Sequence, residues 1–456
     1  MAGTITTLGL GSGIDLQGML EQLKAVDQLP IVRQEARQVE YKAQLTEFDT
    51  VNTKLLAVKT AALSLSLNDT FDTKTISSSN ETVLTATGSS SATAGSYDLT
   101  VTDLARKNSW QSSGVAARDS IIATVPGEFT YTVNGQQSTI TVTENMTLEE
   151  LMTAINEDDN NRGITATVMD DGSGSDAFHL TLVSDETGEE NAITLDTNGT
   201  DLTFNEIQAA GTLDARFTLN GISYQRSSNS IDDVITGITL SLQDTGSSTV
   251  KISADTSTIS GKIVSLVEAY NDAMEEIATK SSYDVETGES GLLSGLSTFT
   301  TIKSQLNSIL FGTIEGLSGD VNSLIELGLD YSQDGTVSIN EATLNSALAD
   351  NLENIKEFFV GSSSGAVEGF ADRLDNQLGF LTNYNGLIDN EKARVQSAID
   401  RLDDQMAAAN ARLTSRYETM ARTFAELDKF MSSMEAQGNA LNLQIESLSN
   451  LLYNNN

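Results

Sequence analysis

Starting at Ile399 and stepping by seven, every residue reached is apolar: Met406, Leu413, Met420, Leu427, Met434, Leu441 and Leu448. A second apolar track runs beside it through Val395, Leu402 and Ala409, then moves one heptad position to Tyr417, Phe424, Met431, Ile445 and Leu452. That drift is what a helix of 3.6 residues per turn does against a strict seven-residue repeat. The pattern predicts one long helix from Ile388 to Leu452 with a coiled-coil-like seam, on the order of 90 Å long at 1.5 Å per residue. A helix of that length cannot bury its stripe against itself, so another part of the chain must cover it.

A partner is legible near the opposite end. Leu16, Met19, Leu20, Leu23 and Val26 form a short amphipathic stretch that runs up to Leu29 and Pro30. Proline ends that helix and is well placed to start the next. The next carries Leu45, Phe48, Val51, Leu55, Val58, Ala62 and Leu65 at steps of three and four. The expected seam therefore joins Leu45, Phe48, Leu55 and Ala62 to Ile399, Met406, Leu413, Met420, Leu427 and Met434, with Val395 to Met434 packing along Leu45 to Leu65.

After Phe71 the period changes from 3.6 to 2. Val83 to Thr87 and Tyr97 to Thr102 alternate as strands do, with glycine and serine between them. A second strand-rich block follows Pro126, with a hairpin signal at Asn134-Gly135 and a capping box, Thr147 with Glu150, opening a helix that bears Leu148, Leu151, Met152 and Ile155. Strands are expected at Ile164 to Met169, Phe178 to Val183 and Ala192 to Leu195. A second hairpin is expected at Asn220-Gly221, then a helical turn near Ile231 to Val234, and strands at Ile238 to Leu242 and Thr249 to Ser253. The helical period returns from Ile259 to Ile277, from Leu296 to Ile309, and in one run through Leu344, Leu348, Leu352, Ile355 and Phe359. The fold class is α+β and multidomain: β modules nested inside a helical domain that is itself enclosed by the terminal coiled coil.

Charge narrows the partners. With 64 acidic against 26 basic residues the formal net charge is -38, which disfavours nucleic acid and acidic membranes, since both are bound through Lys and Arg. Between Asp119 and Ala215 the sole Lys or Arg is Arg162, so the middle is an acidic, solvent-facing module. No charge precedes Asp15, and after Glu435 only Glu446 appears. Charge-free ends rich in Gly, Ser, Asn and Gln suit segments that stay mobile until they dock. The chain has no cysteine, so disulfides and thiolate metal sites are ruled out. No secretory signal and no membrane span is expected, and no membrane insertion.

The best motif match is Asp330 to Glu341, which follows the twelve-residue calcium loop with candidate ligands Asp330, Ser332, Asp334 and Glu341 and glycine at its sixth position. The same residues read as a β-hairpin turned by Asp334-Gly335, and both Gly328 in the flank and the alternation of Thr336 to Ile339 favour the hairpin. Asp170 to Asp176 is a second acidic, glycine-rich turn and reads as a solvated loop. His179 is the sole histidine and sits on a strand among apolar neighbours. Carboxylates are plentiful, but nothing pairs them as a hydrolase requires, and no phosphate-binding glycine pattern follows a strand. No catalytic residue, metal or cofactor is assigned.

Several segments, in order, resemble the flagellar filament cap family, also called hook-associated protein 2. They are Leu8-Gly9-Leu10-Gly11-Ser12-Gly13-Ile14-Asp15; Phe217-Thr218-Leu219-Asn220-Gly221 leading to Arg226-Ser227-Ser228-Asn229 and Gly237-Ile238-Thr239-Leu240; Leu327-Gly328-Leu329 with Asp334-Gly335-Thr336-Val337; and, in the closing helix, Arg416-Tyr417, Phe424 and Asp428-Lys429. The resemblance spans nearly the whole chain, weakening over Ser113 to Gly211. It implies a non-enzymatic homo-oligomeric ring at the distal tip of the flagellum, outside the cell, exported by the type III route without a cleaved signal. Implied partners are flagellin, hook–filament junction proteins and an export chaperone. The implied plan assigns residues 1–43 and 431–456 to a leg that is mobile until docked, and residues 44–77 and 259–430 to a helical domain. Residues 78–112 and 212–258 then form a β domain, and residues 113–211 an inserted acidic β domain. Leu10, Ile14, Leu16, Leu441, Ile445, Leu448 and Leu452 are the expected filament-docking residues. The competing reading is a surface adhesin or coiled-coil scaffold with no assembly role.

Overall fold

A computed structural model describes residue 13 and residues 15–283, 288, 290–332 and 335–453, with side chains up to 450. The chain opens with α1 (Leu16–Leu65) and α2 (Asn68–Asp72). Strands β1 (Lys74–Ser78), β2 (Leu84–Gly88), β3 (Gly95–Asp103), β4 (Lys107–Ser112), β5 (Gly127–Val133) and β6 (Gln136–Val142) lead to α3 (Leu148–Asn156). Then come β7 (Ile164–Asp170), β8 (Phe178–Thr187), β9 (Thr194–Asn198), β10 (Phe204–Gln208), β11 (Ala215–Leu219), β12 (Ile222–Arg226), β13 (Ser230–Ile231), β14 (Ile238–Leu242) and β15 (Gly246–Ala254). The remainder is α4 (Thr256–Ser281), α5 (Ser297–Leu310), β16 (Leu329–Tyr331), β17 (Val337–Ile339), α6 (Glu341–Asp350), α7 (Leu352–Val360), α8 (Phe370–Thr382) and α9 (Leu387–Tyr453). Two compact units result: residues 1–67 with 260–456, and residues 68–259.

The first unit is helical and is closed by the two ends of the chain. Phe48, Val51, Leu55, Val58, Ala62 and Leu65 of α1 are fully buried, one residue per helical turn or nearly so, which makes a continuous apolar stripe. Phe48 stacks on Phe299 of α5 with ring centroids 5.5 Å apart. Ion pairs Lys54–Asp272, Lys59–Asp375 and Lys280–Glu47 tie α1 to α4 and α8. An aromatic trio, Phe358, Phe359 and Phe370, locks α7 to α8. Tyr270, fully buried in α4, donates its phenol to Asn307 of α5, and burial raises its pKa far above the ordinary phenol range.

The second unit holds two cores. One lies under the sheet ordered β1-β15-β3-β11-β12 and the three strands β13-β14-β2, and is filled by Leu99, Val101, Phe217, Leu240 and Val250 among others. The second lies among β10-β4-β8-β7, β6-β5-β9 and α3, around Phe129, Tyr131, Leu148, Leu151 and Leu182. β4 enters this second module and β10 leaves it, paired antiparallel. Both Asn-Gly pairs turn hairpins with two successive positive φ values, 49° and 69° at Asn134-Gly135, 50° and 82° at Asn220-Gly221. That is the twist a two-residue hairpin turn needs. The capping box is formed: Thr147 Oγ1 accepts from the Glu150 amide at 3.3 Å, and the Glu150 carboxylate accepts from the Thr147 amide at 2.8 Å. Replacing Thr147 with Ala should cost about 1 kcal/mol of the stability of this module, read as a fall in its chemical-denaturation midpoint.

Three expectations are corrected. Helix α1 runs straight through Pro30. Proline removes one donor, so only the Val26 carbonyl loses its helical bond, and Val26 is exposed, where water can replace the donor. The next residue, Ile31, is buried with Leu402 and Met406, and that packing carries the helix onward. Ile231 does not start a helical turn; it pairs with Leu240 and is buried under the sheet, which requires an extended backbone. The run from Leu344 to Phe359 is two helices, broken at Asn351 (φ -132°, ψ 31°), a residue type that favours helix ends over interiors.

Candidate assembly surface

Helix α9 is 67 residues long, and α1 lies antiparallel beside it. Asp49 pairs with Lys392, Gln38 donates to Asp403, Gln34 to Gln405, and Asp27 receives Arg416. As α1 is followed toward its start, its partners climb α9 in step, so one register holds throughout. Asp27 Oδ2 closes the series by accepting from both Tyr417 Oη at 2.8 Å and Arg416 at 3.1 Å. Tyr417 is 6% exposed, and burial, then the Asp27 carboxylate, push its phenol pKa up.

This register redistributes the expected seam. Phe48, Leu55 and Ala62 are buried and Leu45 half-buried; in this stretch Phe48 stacks on Phe299 of α5, Lys59 pairs with Asp375 of α8, and Asp49 with Lys392 at the start of α9. Ile399 and Met406 are buried and Leu413 and Met420 half-buried. Ile31, with Tyr41 beside it, covers Leu402, Met406, Ala409 and Leu413. The pairing of Val395 to Met434 along Leu45 to Leu65 is thus corrected: α1 has 50 residues, it meets the start of α9 at Asp49, and the stretch before Asp49, part of it read as separate from the bundle, runs along α9 as far as Arg416. Leu427 and Met434 are 43% and 54% exposed; the register brings the start of α1 to the level of Leu427 and no described residue to that of Met434.

Of the expected docking residues, Leu10 and Ile14 lie outside the described residues. Leu16 is buried at the start of α1. Leu441, Ile445 and Leu448 project from α9 at 59, 57 and 59% exposure. Leu452 lies within the helix, its side chain beyond the described ones. By the register, α9 beyond Asp428 has no described residue of α1 opposite it. The second half of the stripe is an exposed apolar face that no described residue of α1 covers.

The calcium candidates are not brought to a common point by any observed contact. Asp330 and Ser338 pair across the β16–β17 hairpin, and the Asp330 carboxylate accepts from the Tyr331 amide. Ser332 donates its amide to the Thr336 carbonyl, Glu341 opens α6, and Asp334 lies outside the described residues. Among the described residues, no three Asp, Glu or His side chains gather as metal ligands would. His179 joins its ring nitrogens to the Ser112 carbonyl and the Asp171 carboxylate, pinning the Asp170 to Asp176 loop to β4. Sequence reading missed Asp27: an isolated carboxylate on an amphipathic helix carries no signal, and only the register shows that it faces Tyr417. Tyr417→Phe should leave the bundle intact but raise amide exchange in α1 before Pro30 several-fold, measured against residues 45–65 in the same protein.

Flagellar hook-associated protein 2 matches this chain twice, by its N-terminus over residues 12–108 and by its C-terminus over residues 212–436. The chain belongs to the flagellar hook-associated protein 2 family. Between those two regions, residues 128–186 match a flagellin hook IN motif, placing that motif in the β module whose core contains Phe129 and Leu182. The chain is 28% identical to flagellar hook-associated protein 2 of Escherichia coli K12 over 475 residues, covering 98% of this chain and 99% of that protein. It is 28% identical to that of Campylobacter jejuni over 416 residues, covering 78% of this chain and 64% of the relative. A solved structure of the D1-D2-D3 domains of the flagellar cap protein FliD from Escherichia coli is similar at 26% identity and a TM-score of 0.52, covering 76% of this chain and 99% of that one.

Proposed function

We propose that this chain caps the distal end of a bacterial flagellar filament as a homo-oligomeric ring and guides exported flagellin subunits into place beneath it. The observation that carries this reading is the exposed apolar half of α9. Past Glu435 its apolar face continues with Glu446 as the sole charged residue, a surface that gains free energy only when something else buries it. Leu441, Ile445 and Leu448 are the residues that enter the filament tip, with Leu10, Ile14, Leu16 and Leu452 completing the leg. The helical unit supports the ring, and the acidic β modules form the outer plate. The role is structural, without catalysis or a cofactor. The chain passes through the type III export channel with the help of a chaperone and no cleaved signal, and takes its place after the hook–filament junction proteins. A fold without disulfides suits a chain that must thread a channel and refold outside. An adhesin or scaffold role accounts for none of the family's matched regions in particular and is not favoured.

Deleting the gene tests the proposal. Cells should then release flagellin monomers into the medium and carry hooks without filaments. Full-length filaments on such cells would rule out a cap.

A further inference from the structure

Where Pro30 passes α9, the two helices leave a groove floored by Pro30, Ile31, Ala409 and Leu413 and rimmed by Asp27, Arg412 and Arg416. Arg416 is held by Asp27. Arg412 is exposed on the same rim, one helical turn away, and has no carboxylate partner among the described residues. An apolar floor beside an unspent guanidinium is a site for an apolar side chain that carries a carboxylate next to it.

The same molecule displays that combination elsewhere. Leu427, Phe430 and Met434 stand at steps of three and four, so they form one row, and each is between two-fifths and two-thirds exposed. Glu426 is exposed at the edge of the row, four residues before Phe430. Lys429 falls on the opposite side of the helix by the same period. The row cannot fill the groove of its own chain. Both lie on the single helix α9, and the fourteen residues from Leu413 to Leu427 hold them about 21 Å apart along its axis.

We propose that the groove at Pro30 receives the Leu427–Phe430–Met434 row of a second copy, with Glu426 of that copy pairing with Arg412. Charge selects this occupant. Each chain carries a net charge of -38, so two copies repel unless they meet through apolar surface and a matched pair of opposite charges. Groove and row are different surfaces, so the contact is head-to-tail, and such contacts propagate into a ring when the rotation closes. The proposal rests on the cap reading for its biological setting, while the contact itself is a property of the purified chain.

Self-association of the full chain, followed by sedimentation over a range of concentrations, tests it. Arg412→Glu and Glu426→Arg should each weaken association about tenfold, and the chain carrying both should regain it, because every junction again pairs opposite charges. Phe430→Ala should weaken association with the melting temperature unchanged, since that side chain is exposed in the single chain. A double variant as weak as either single one, an Arg412→Glu chain that associates like the unmodified protein, or an unmodified chain monomeric at every concentration would each overturn the contact. Released flagellin on gene deletion together with a monomeric chain removes the contact and leaves the cap. A restored double variant together with intact filaments on gene deletion does the reverse.

Discussion

Removing residues 437–456 should abolish filament growth and leave the protein folded. The segment lies in the part of α9 beyond every described contact with α1, and its apolar side chains Leu441, Ile445 and Leu448 are already in water. Deleting exposed side chains costs almost nothing in stability, so the melting temperature and the circular dichroism per residue of the remaining helices should stay as they are. The loss should appear only where a partner covers that face. Cells making the truncated chain should secrete it in normal amount and still release flagellin monomers, and their motility should fall to that of cells with no cap gene. Single substitutions divide the same effect: Leu441→Asp or Leu448→Asp should each lower motility severalfold, because each introduces a charge into a surface that must become dry on docking.

The second large effect is on stability and is confined to one unit. Phe48 is fully buried against Phe299, and truncating a buried phenylalanine to alanine costs about 3–5 kcal/mol, a sum of lost transfer energy and the cavity left behind. Phe48→Ala should therefore lower the transition of the helical unit by many degrees while hydrogen exchange in β5, β8 and β15 stays unchanged. Val39→Ala is the control, since Val39 lies on the same helix but is 65% exposed, and it should move neither transition by more than about 0.5 kcal/mol. A Phe48→Ala protein whose β strands lose protection together with α1 would show that the two units do not hold their stability separately.

Much of the fold was legible because its longest elements are strongly periodic. The heptad from Ile399 to Leu448 specified α9 to within a residue or two at each end, and the Asn134-Gly135 and Asn220-Gly221 pairs specified their hairpins. The capping box specified the start of α3. Strands β1, β4 and β10 were missed because KTISS, KNSWQS and FNEIQ have few apolar residues to alternate; their place is set by pairing with β15, β8 and each other. Helix α8 was missed although Phe370, Leu374, Leu378 and Leu381 recur at helical steps; its register with α1 comes from Lys59 and Asp375. The seam shows the limit most clearly. A repeat states that a helix has a partner, but the choice between Leu45 to Leu65 and Ile31 to Tyr41 is made by side chains such as Gln38 with Asp403 and Asp27 with Tyr417, whose meeting no local pattern announces.

The central claim is that this chain sits at the free end of the filament with α9 inserted into it. Gold-labelled antibody against the acidic β modules, viewed by electron microscopy on intact cells, measures that position directly. The account predicts label confined to the distal tip of each filament, and no filaments to label on cells that make only the chain lacking residues 437–456. Label along the shaft, at the hook or over the cell surface would contradict it.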